Sequence, residues 1–85
     1  MKHAGSAALD TVEPLLAQIR SLPSLTERKR GVFYRKSSAF LHFHEDPAGI
    51  FADVRTASGW LRLAANTLAE RRELLRRIRK LLTAR

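Results

Sequence analysis

An alternation of apolar and polar side chains with a period of two runs from residue 32 to residue 63, and it limits the fold more than any other feature of the chain. This period is typical of β-strands that bury one face, whereas helices repeat every 3.6 residues. The segment reads VFYRKSSAFLHFHEDPAGIFADVRTASGWLRL, and SS, DPAG and SG divide it at hairpin spacing. We therefore predict a four-stranded antiparallel meander over residues 32–63.

The turns also predict the register of the strands. A two-residue turn at 37–38 sets the first strand pair, a four-residue turn at 46–49 sets the second, and a turn at 58–59 sets the third. The predicted partners are Tyr34 with Leu41, Val32 with Phe43, Phe43 with Ala52, Leu41 with Val54, Val54 with Leu63, and Thr56 with Leu61. The three registers agree on one buried apolar face, which consists of Val32, Tyr34, Leu41, Phe43, Ile50, Ala52, Val54, Leu61 and Leu63.

Amphipathic segments flank the predicted strands on both sides. Residues 11–22 repeat apolar side chains at helical spacing and stop before Pro23, which favours a helix there. Residues 67–83 begin with a capping box, formed by Thr67 and Glu70, and carry a second apolar stripe. Each segment therefore predicts a helix with one apolar face.

The two predicted helices match the single apolar face of the predicted sheet in number. We expect both helices to cover that face, which gives an α+β fold in the order α-β-β-β-β-α within a single domain, residues 1–85. Residues 1–8 are expected to be disordered. Residues 23–31, PSLTERKRG, are expected to form a basic loop.

The registers place an unusual set of side chains on the opposite face of the sheet, where an antiparallel sheet in water normally carries polar residues. This second face combines aromatic rings with arginines: Phe33, Arg35, Phe40, His42, His44, Phe51, Asp53, Arg55, Trp60 and Arg62. Aromatic rings stack on the bases of single-stranded nucleic acid, and arginines contact its phosphates. The first hypothesis is therefore a non-enzymatic module that binds nucleic acid through this face.

Two other interpretations of the second face stay open. A surface rich in aromatic residues and arginine is also typical of a homodimer or protein interface, where it would be buried. Alternatively, His42 and His44 point the same way from one strand and form, with Asp53 on the adjoining strand, a candidate metal or small-ligand site. Without a metal, we expect Asp53 to pair with His42 and raise its pKa, which would make a proton-dependent switch.

The chain is strongly basic, with 16 Lys and Arg against 8 Asp and Glu and a net charge of +8. A field of this sign favours nucleic acid, anionic lipid or an acidic protein as partner. The polar side of the predicted C-terminal helix carries a basic strip, which is either a phosphate-contacting surface or a solvated helix face: Arg72, Arg76, Arg79 and Lys80. The apolar side of that helix is needed to cover the sheet, so we expect no membrane partner.

Several classes of function are disfavoured by what the sequence lacks. The absence of cysteine excludes disulfides, thiolate metal sites and cysteine nucleophiles. No apolar run reaches the roughly 18 residues of a membrane span, and MKHAGSAALD lacks the apolar stretch of a secretory signal, so we expect a cytoplasmic protein. No glycine-rich phosphate loop or nucleophile elbow is present, so we expect neither an enzyme nor a cofactor.

The order of the elements and three short segments resemble the YjbR/MmcQ-like group of small bacterial proteins. The matching pieces are SLPSLTE, AFLHFHEDP and GWLRL, and they span most residues from Ser21 to Leu82. Proteins of this group also begin with a helix and have been described as DNA-binding. The resemblance implies a bacterial protein with this α+β fold, and it transfers no catalytic residue.

Overall fold

In the computed structural model, which describes residues 2–83, the chain is an α+β protein with three helices and a six-stranded antiparallel sheet. The helices are α1 (Ser6–Thr11), α2 (Glu13–Arg20) and α3 (Leu68–Thr83). The strands are β1 (Lys2–His3), β2 (Leu25–Lys29), β3 (Val32–Arg35), β4 (Ser38–Asp46), β5 (Gly49–Thr56) and β6 (Gly59–Ala64). The α+β class and the antiparallel sheet are thereby confirmed.

The sheet is larger than the predicted four-stranded meander. Its strands lie in the order β2-β3-β4-β5-β6, and β1 pairs with β4 beyond the end of β3. The basic loop expected over 23–31 is wrong because β2 lies there; its one apolar residue, Leu25, leaves no alternation in the sequence. The disorder expected over 1–8 is also wrong for residues 2–8, where β1 and the start of α1 lie, while residue 1 is outside the described residues.

The N-terminal helical segment starts earlier than predicted and is interrupted at Val12. The apolar repeat predicts one helix over 11–22, whereas α1 and α2 are separate helices on either side of this residue. In an unbroken helix the Asp10 carbonyl would accept a hydrogen bond from residue 14, but Pro14 has no N–H. The Val12 N–H donates to the Leu9 carbonyl at 3.1 Å, which tightens the chain at the break.

The start of α3 follows the predicted capping box. The Glu70 N–H donates to Thr67 Oγ1 at 3.1 Å, and the Thr67 N–H donates to Glu70 Oε1 at 3.0 Å. One residue earlier, Asn66 Oδ1 accepts a hydrogen bond from the Ile50 N–H at 2.8 Å. The first turn of α3 is therefore attached to the beginning of β5.

The register of the two central strands agrees with the turn chemistry. Leu41 faces Val54 and Phe43 faces Ala52 across the β4–β5 hairpin, as predicted. The β5–β6 pair is displaced by two residues, so that Val54 faces Leu61. This displacement leaves every side chain on its predicted face, because side chains alternate with a period of two.

The β3–β4 hairpin differs from the prediction because it contains a β-bulge. Phe33 faces Leu41 and Tyr34 faces Ala39, so Phe40 has no partner on β3. The extra residue changes the register by one and moves Phe33 and Phe40 into the core, where they are 0% and 4% exposed. Their predicted place on the second face is therefore wrong.

The same offset reverses two residues that were predicted on the buried face. Val32 faces His42 and so lies on the second face of the sheet. Tyr34 is half-buried and outside the core cluster, with the Arg28 guanidinium 4.2 Å from the centre of its ring. The bulge thus leaves Val32 and Tyr34 outside the core and places Phe33 and Phe40 in it.

Arg35, which was also predicted on the second face, is turned toward α3. Its guanidinium donates to the carbonyl oxygens of Leu81 and Leu82, each at 3.3 Å. Carbonyls in the last turn of a helix have no partner within the helix and carry the negative end of its dipole. Arg35 therefore caps α3 and is not available to a ligand on the other side of the sheet.

The core lies between the helices and the apolar face of the sheet. It joins residues from every helix to residues from β3, β4 and β5: Leu9, Val12, Leu15, Leu16, Ile19, Phe33, Phe40, Leu41, Phe43, Ala52, Val54, Ala65, Leu74, Leu75 and Ile78. Ile50 and Leu63 pack against its margin. Burial of one large apolar side chain contributes about 1.5–3 kcal/mol, so this cluster determines which face of β4 is left for polar residues.

Candidate functional site

β4 presents two histidines on the side of the sheet away from the helices. Leu41 and Phe43 fill the inward positions of the strand, so His42 and His44 point the other way. The second face keeps seven of its ten predicted residues: His42, His44, Phe51, Asp53, Arg55, Trp60 and Arg62. The three that it loses are Phe33, Arg35 and Phe40.

β1 adds a third histidine that the sequence did not suggest. His3 faces His44 across the β1–β4 pair. Beside it, the Gly5 N–H donates to Glu45 Oε1 at 2.9 Å, and the Lys2 ammonium lies 3.9 Å from the same oxygen. A strand of two residues shows no periodicity in a sequence, so only the charge complementarity of Lys2 and Glu45 hinted at this pairing.

The three imidazole rings form one group, which we refer to as the histidine cluster: His3, His42 and His44. The rings of His3 and His44 are stacked, with centroids 4.9 Å apart and an interplanar angle of 19°. The ring of His42 lies 5.6 Å from that of His3 and 6.1 Å from that of His44. One nitrogen from each ring lies within 4.8 Å of the other two, so the cluster directs three imidazole nitrogens toward one small volume.

Two nitrogens of the cluster are buried without a hydrogen-bond partner in the described part of the chain. These atoms are Nε2 of His42 and Nε2 of His44. Nε2 of His44 lies 3.2 Å from Asp53 Oδ2, but the two groups are not aligned for a hydrogen bond. Buried polar atoms normally have a partner, so the cluster has unused capacity to bind a ligand.

Asp53 borders the cluster and is held by an arginine. The Arg62 guanidinium donates two hydrogen bonds to it, at 2.7 Å to Oδ1 and 2.9 Å to Oδ2. This bidentate pair is the main cause that lowers the pKa of Asp53, so the carboxylate is ionised near neutral pH. Asp53 faces His42 in the strand register, but the side chain in contact with it is His44.

The predicted rise in the pKa of His42 is wrong. Burial lowers the pKa of His42, and the neighbouring His3 and His44 lower it further. Asp53 acts in the opposite direction but is the weakest influence, because Arg62 already neutralises it. His42 is therefore a neutral imidazole at pH 7.

Trp60 connects the histidine cluster to the edge of the sheet. Its side chain is 46% exposed, and its ring lies 5.1 Å from that of His42. The Arg55 guanidinium lies 5.4 Å from the centre of the indole, within cation–π distance. Phe51, which faces His44 in the register, is half-buried. Trp60 is thus the most accessible aromatic ring of this face.

A groove lies where the β5–β6 hairpin meets α3. Its volume is about 730 Å³, and its walls include Trp60 and Leu61 from β6 and Arg76, Arg77 and Lys80 from α3. No acidic residue of the described chain lines it. The groove therefore combines an exposed aromatic ring with a cationic wall.

The predicted basic strip contributes only half of its residues to this groove. Arg72 and Arg79 are exposed on α3 but do not line it, whereas Arg76 and Lys80 do. Arg77, which was not included in the predicted strip, is half-buried and also lines the groove.

The arginines of the groove share one carboxylate. Glu73 accepts hydrogen bonds from Arg76 at 2.7 Å and from Arg77 at 3.2 Å. The hydrogen bonds from Arg76 are the main cause that lowers the pKa of Glu73 to about 2. Lys80 forms no ion pair with any described residue, so its charge is fully available to a ligand.

Comparisons with family models, curated proteins and solved structures give no significant match to this chain. The resemblance to the YjbR/MmcQ-like group therefore stays a prediction. Among residues 2–83, no helix has the length and apolar character needed to cross a membrane.

Proposed function

We propose that the protein is a non-enzymatic module that binds single-stranded nucleic acid in the groove between the β5–β6 hairpin and α3. The observation that carries the proposal is an exposed tryptophan beside a cationic wall: Trp60 is 46% exposed, and three cations of α3 line the same groove. A net charge of +8 adds a long-range attraction for polyanions.

Stacking supplies the first part of the interaction. Every base has a π-face, so an exposed indole binds single strands without requiring one sequence, at about 1–3 kcal/mol per base. Pockets that hold small organic ligands span about 300–1,000 Å³. The groove, at about 730 Å³, therefore has room for a nucleotide beside Trp60.

Phosphate contacts supply the second part. Lys80 is without an ion pair among the described residues. The Arg55 guanidinium lies 5.4 Å from the centre of the indole ring, close to the place where a base would stack. Neutralising phosphates releases counterions, so binding that uses these side chains weakens steeply with salt.

The contact surface in this proposal is smaller than the sequence alone suggested. Phe33 and Phe40 are buried and Arg35 caps α3, so none of them contacts a ligand on the second face. Binding then depends mainly on a single ring, Trp60, and on the charge of α3. A single substitution of Trp60 is accordingly expected to have a large effect.

The experiment measures binding of a labelled oligodeoxythymidine and an oligouridine of matched length by fluorescence anisotropy at about 50 mM salt, where electrostatic binding is strong. Trp60→Ala is expected to weaken binding about 5–100-fold, the equivalent of one stacked base. Lys80→Glu is expected to weaken binding more than Arg72→Glu, which makes the same charge change outside the groove. Absence of binding, or equal losses in the two charge variants, would rule out the groove.

A homodimer that buries the second face is the competing proposal. It predicts twice the mass of one chain in light scattering, and it predicts that Trp60→Ala returns the protein to the mass of one chain. A protein that has the mass of one chain and binds oligonucleotides supports the groove instead.

A further inference from the structure

We propose that His3, His42 and His44 form a binding site for a divalent transition-metal ion, with Zn²⁺ as the preferred ion. The site does not depend on the proposed nucleic-acid function, and none of the three histidines lines the cationic groove. One nitrogen of each histidine lies within 4.8 Å of the other two, and the three side chains come from two hydrogen-bonded strands.

The type of donor selects the class of metal. Neutral imidazoles bind zinc, copper and nickel in preference to calcium and magnesium, which take oxygen ligands. Three protein ligands with an open fourth position are the arrangement of a zinc ion that also holds water. His3 is exposed, so an ion can reach the cluster from solvent.

The spacing fits a metal after a small adjustment of the rings. Zinc–imidazole bonds of about 2.0–2.1 Å place tetrahedral ligand atoms about 3.4 Å apart. Closing from 4.8 Å moves each nitrogen by about 1 Å. Small rotations of the three rings supply this movement, and the exposed His3 ring is the freest of them to turn.

The backbone brings these ligands together before any metal binds. His42 and His44 are two residues apart on β4 and therefore project from the same side of the strand. His3 is the direct partner of His44 across the β1–β4 pair. With β1 paired to β4, the sheet sets all three Cα positions, and a metal ion has only side-chain rotations to select.

The surroundings of the cluster supply the supporting groups of a metal site. Asp53 Oδ2 lies 3.2 Å from His44 Nε2, so a carboxylate stands beside the cluster, where it offsets the charge of a bound metal. Both Asp53 oxygens already accept hydrogen bonds from Arg62, so Asp53 supports a ligand and is not itself the fourth one.

Packing alone does not account for three imidazoles at this place. Each ring brings polar nitrogens that are costly to bury without partners, and Nε2 of both His42 and His44 is buried without one in the described chain. Apolar side chains would fill the same space without that cost. Coordination gives the unpaired nitrogens a partner.

The test uses untagged full-length protein, because all three histidines of the chain belong to the site. After treatment with a chelator, the protein is titrated with Zn²⁺ by calorimetry and with Co²⁺ by visible absorption, which reports ligand geometry. We expect one equivalent of metal and the intense d–d bands of tetrahedral Co²⁺.

The substitutions separate the ligands from their surroundings. His3→Ala is the main variant because His3 is exposed and lies outside the core, so the fold is expected to survive. Losing a supporting group costs about 10–100-fold in metal affinity, and loss of a ligand should cost at least as much. Lys2→Ala is the matched control, since it changes the neighbouring residue of β1 and keeps every imidazole.

Three results would overturn the proposal. Zn²⁺ binding below one equivalent or only at millimolar concentration would show that the cluster is not a metal site. Unchanged affinity in His3→Ala would show that β1 contributes no ligand. Equal losses in His3→Ala and Lys2→Ala would assign the effect to β1 pairing, which also contradicts coordination by His3.

Discussion

The indole ring of Trp60 lies 5.1 Å from the imidazole ring of His42, so the histidine cluster and the cationic groove share a wall. Trp60 is also the only tryptophan of the sequence. The fluorescence of one residue therefore reports on both proposed sites. A ligand in the groove stacks on the indole, whereas a metal in the cluster is bound by His42, whose ring lies next to the indole.

This proximity predicts that Cu²⁺ quenches Trp60. Copper binds nitrogen ligands more tightly than the other divalent ions of its row, and its unpaired electron quenches a nearby indole. We expect saturable quenching at one equivalent in steady-state fluorescence. His3→Ala should weaken the quenching strongly and Lys2→Ala only slightly.

Oligonucleotides provide the converse measurement. Oligodeoxythymidine is expected to quench Trp60 by stacking in both the wild type and His3→Ala, because His3 does not line the groove. Loss of the oligonucleotide response in His3→Ala would contradict the separation of the two sites.

The β-bulge predicts that Phe40 is a core residue. Phe40→Ala should lower the free energy of unfolding by about 3–5 kcal/mol, as other large-to-small changes of buried aromatic residues do. Urea denaturation followed by circular dichroism measures the change. Arg55→Ala, at an exposed position on the neighbouring strand, should change stability by no more than about 0.5 kcal/mol. A small effect of Phe40→Ala would instead support the register predicted from the sequence, which has no bulge and leaves Phe40 outside the core.

Arg35 is expected to stabilise the end of α3 rather than bind a ligand. Arg35→Ala removes two hydrogen bonds to helix carbonyls and a cation at the negative end of the dipole, at a cost of about 1–2 kcal/mol. Thermal denaturation should show a lower Tm, while oligonucleotide affinity stays within about twofold of the wild type after correction for unfolded protein. Arg79→Ala, at an exposed position on the same helix, is the control and should leave the Tm nearly unchanged.

A network of ion pairs predicts a loss of stability in acid. Glu13 accepts hydrogen bonds from Arg30 and Arg20, and these bonds lower the pKa of Glu13 from 4.5 in the folded protein. Its contribution is therefore complete above pH 4.5 and is lost as the pH falls through the lowered value. Glu13→Gln should lower the Tm at pH 7.

The difference in Tm between the wild type and Glu13→Gln should then shrink as the pH falls below 4.5. Asp10→Asn changes an outer member of the network, whose side chain is 68% exposed, and should have a smaller effect. A difference that stays constant down to pH 2–3 would contradict the role of the Glu13 charge.

Sequence patterns predicted the parts of this fold in which local chemistry and tertiary packing agree. The DPAG turn fixes the β4–β5 register because proline restricts φ and Gly49 adopts the positive φ that the turn requires. The β5–β6 register was displaced by two residues, yet Trp60 and Arg55 lie on the predicted face because the side-chain period is two. The capping box at Thr67 predicted the start of α3 because its hydrogen bonds join residues that are close in the sequence.

Other parts depended on contacts that no local pattern reveals. The bulge at Phe40 is stabilised by burial of two phenylalanines, a gain that exists only once the helices cover the sheet. His3 joins the histidine cluster because the edge of β4 extends beyond β3 and is free to pair with β1. The candidate site was therefore predicted in part: two of its three histidines follow from the strand period, and the third from long-range pairing.

The shortness of β1 has a consequence for metal affinity. A strand of two residues that pairs with β4 alone among the described strands detaches at a much lower free energy than the whole protein unfolds. His3 is then in place only in the docked fraction of molecules, and the apparent affinity falls by that fraction. The amino-terminal strand would then act as a latch, and loss of the Glu45 carboxylate, which accepts the Gly5 N–H, would speed the release of an ion that Glu45 does not touch.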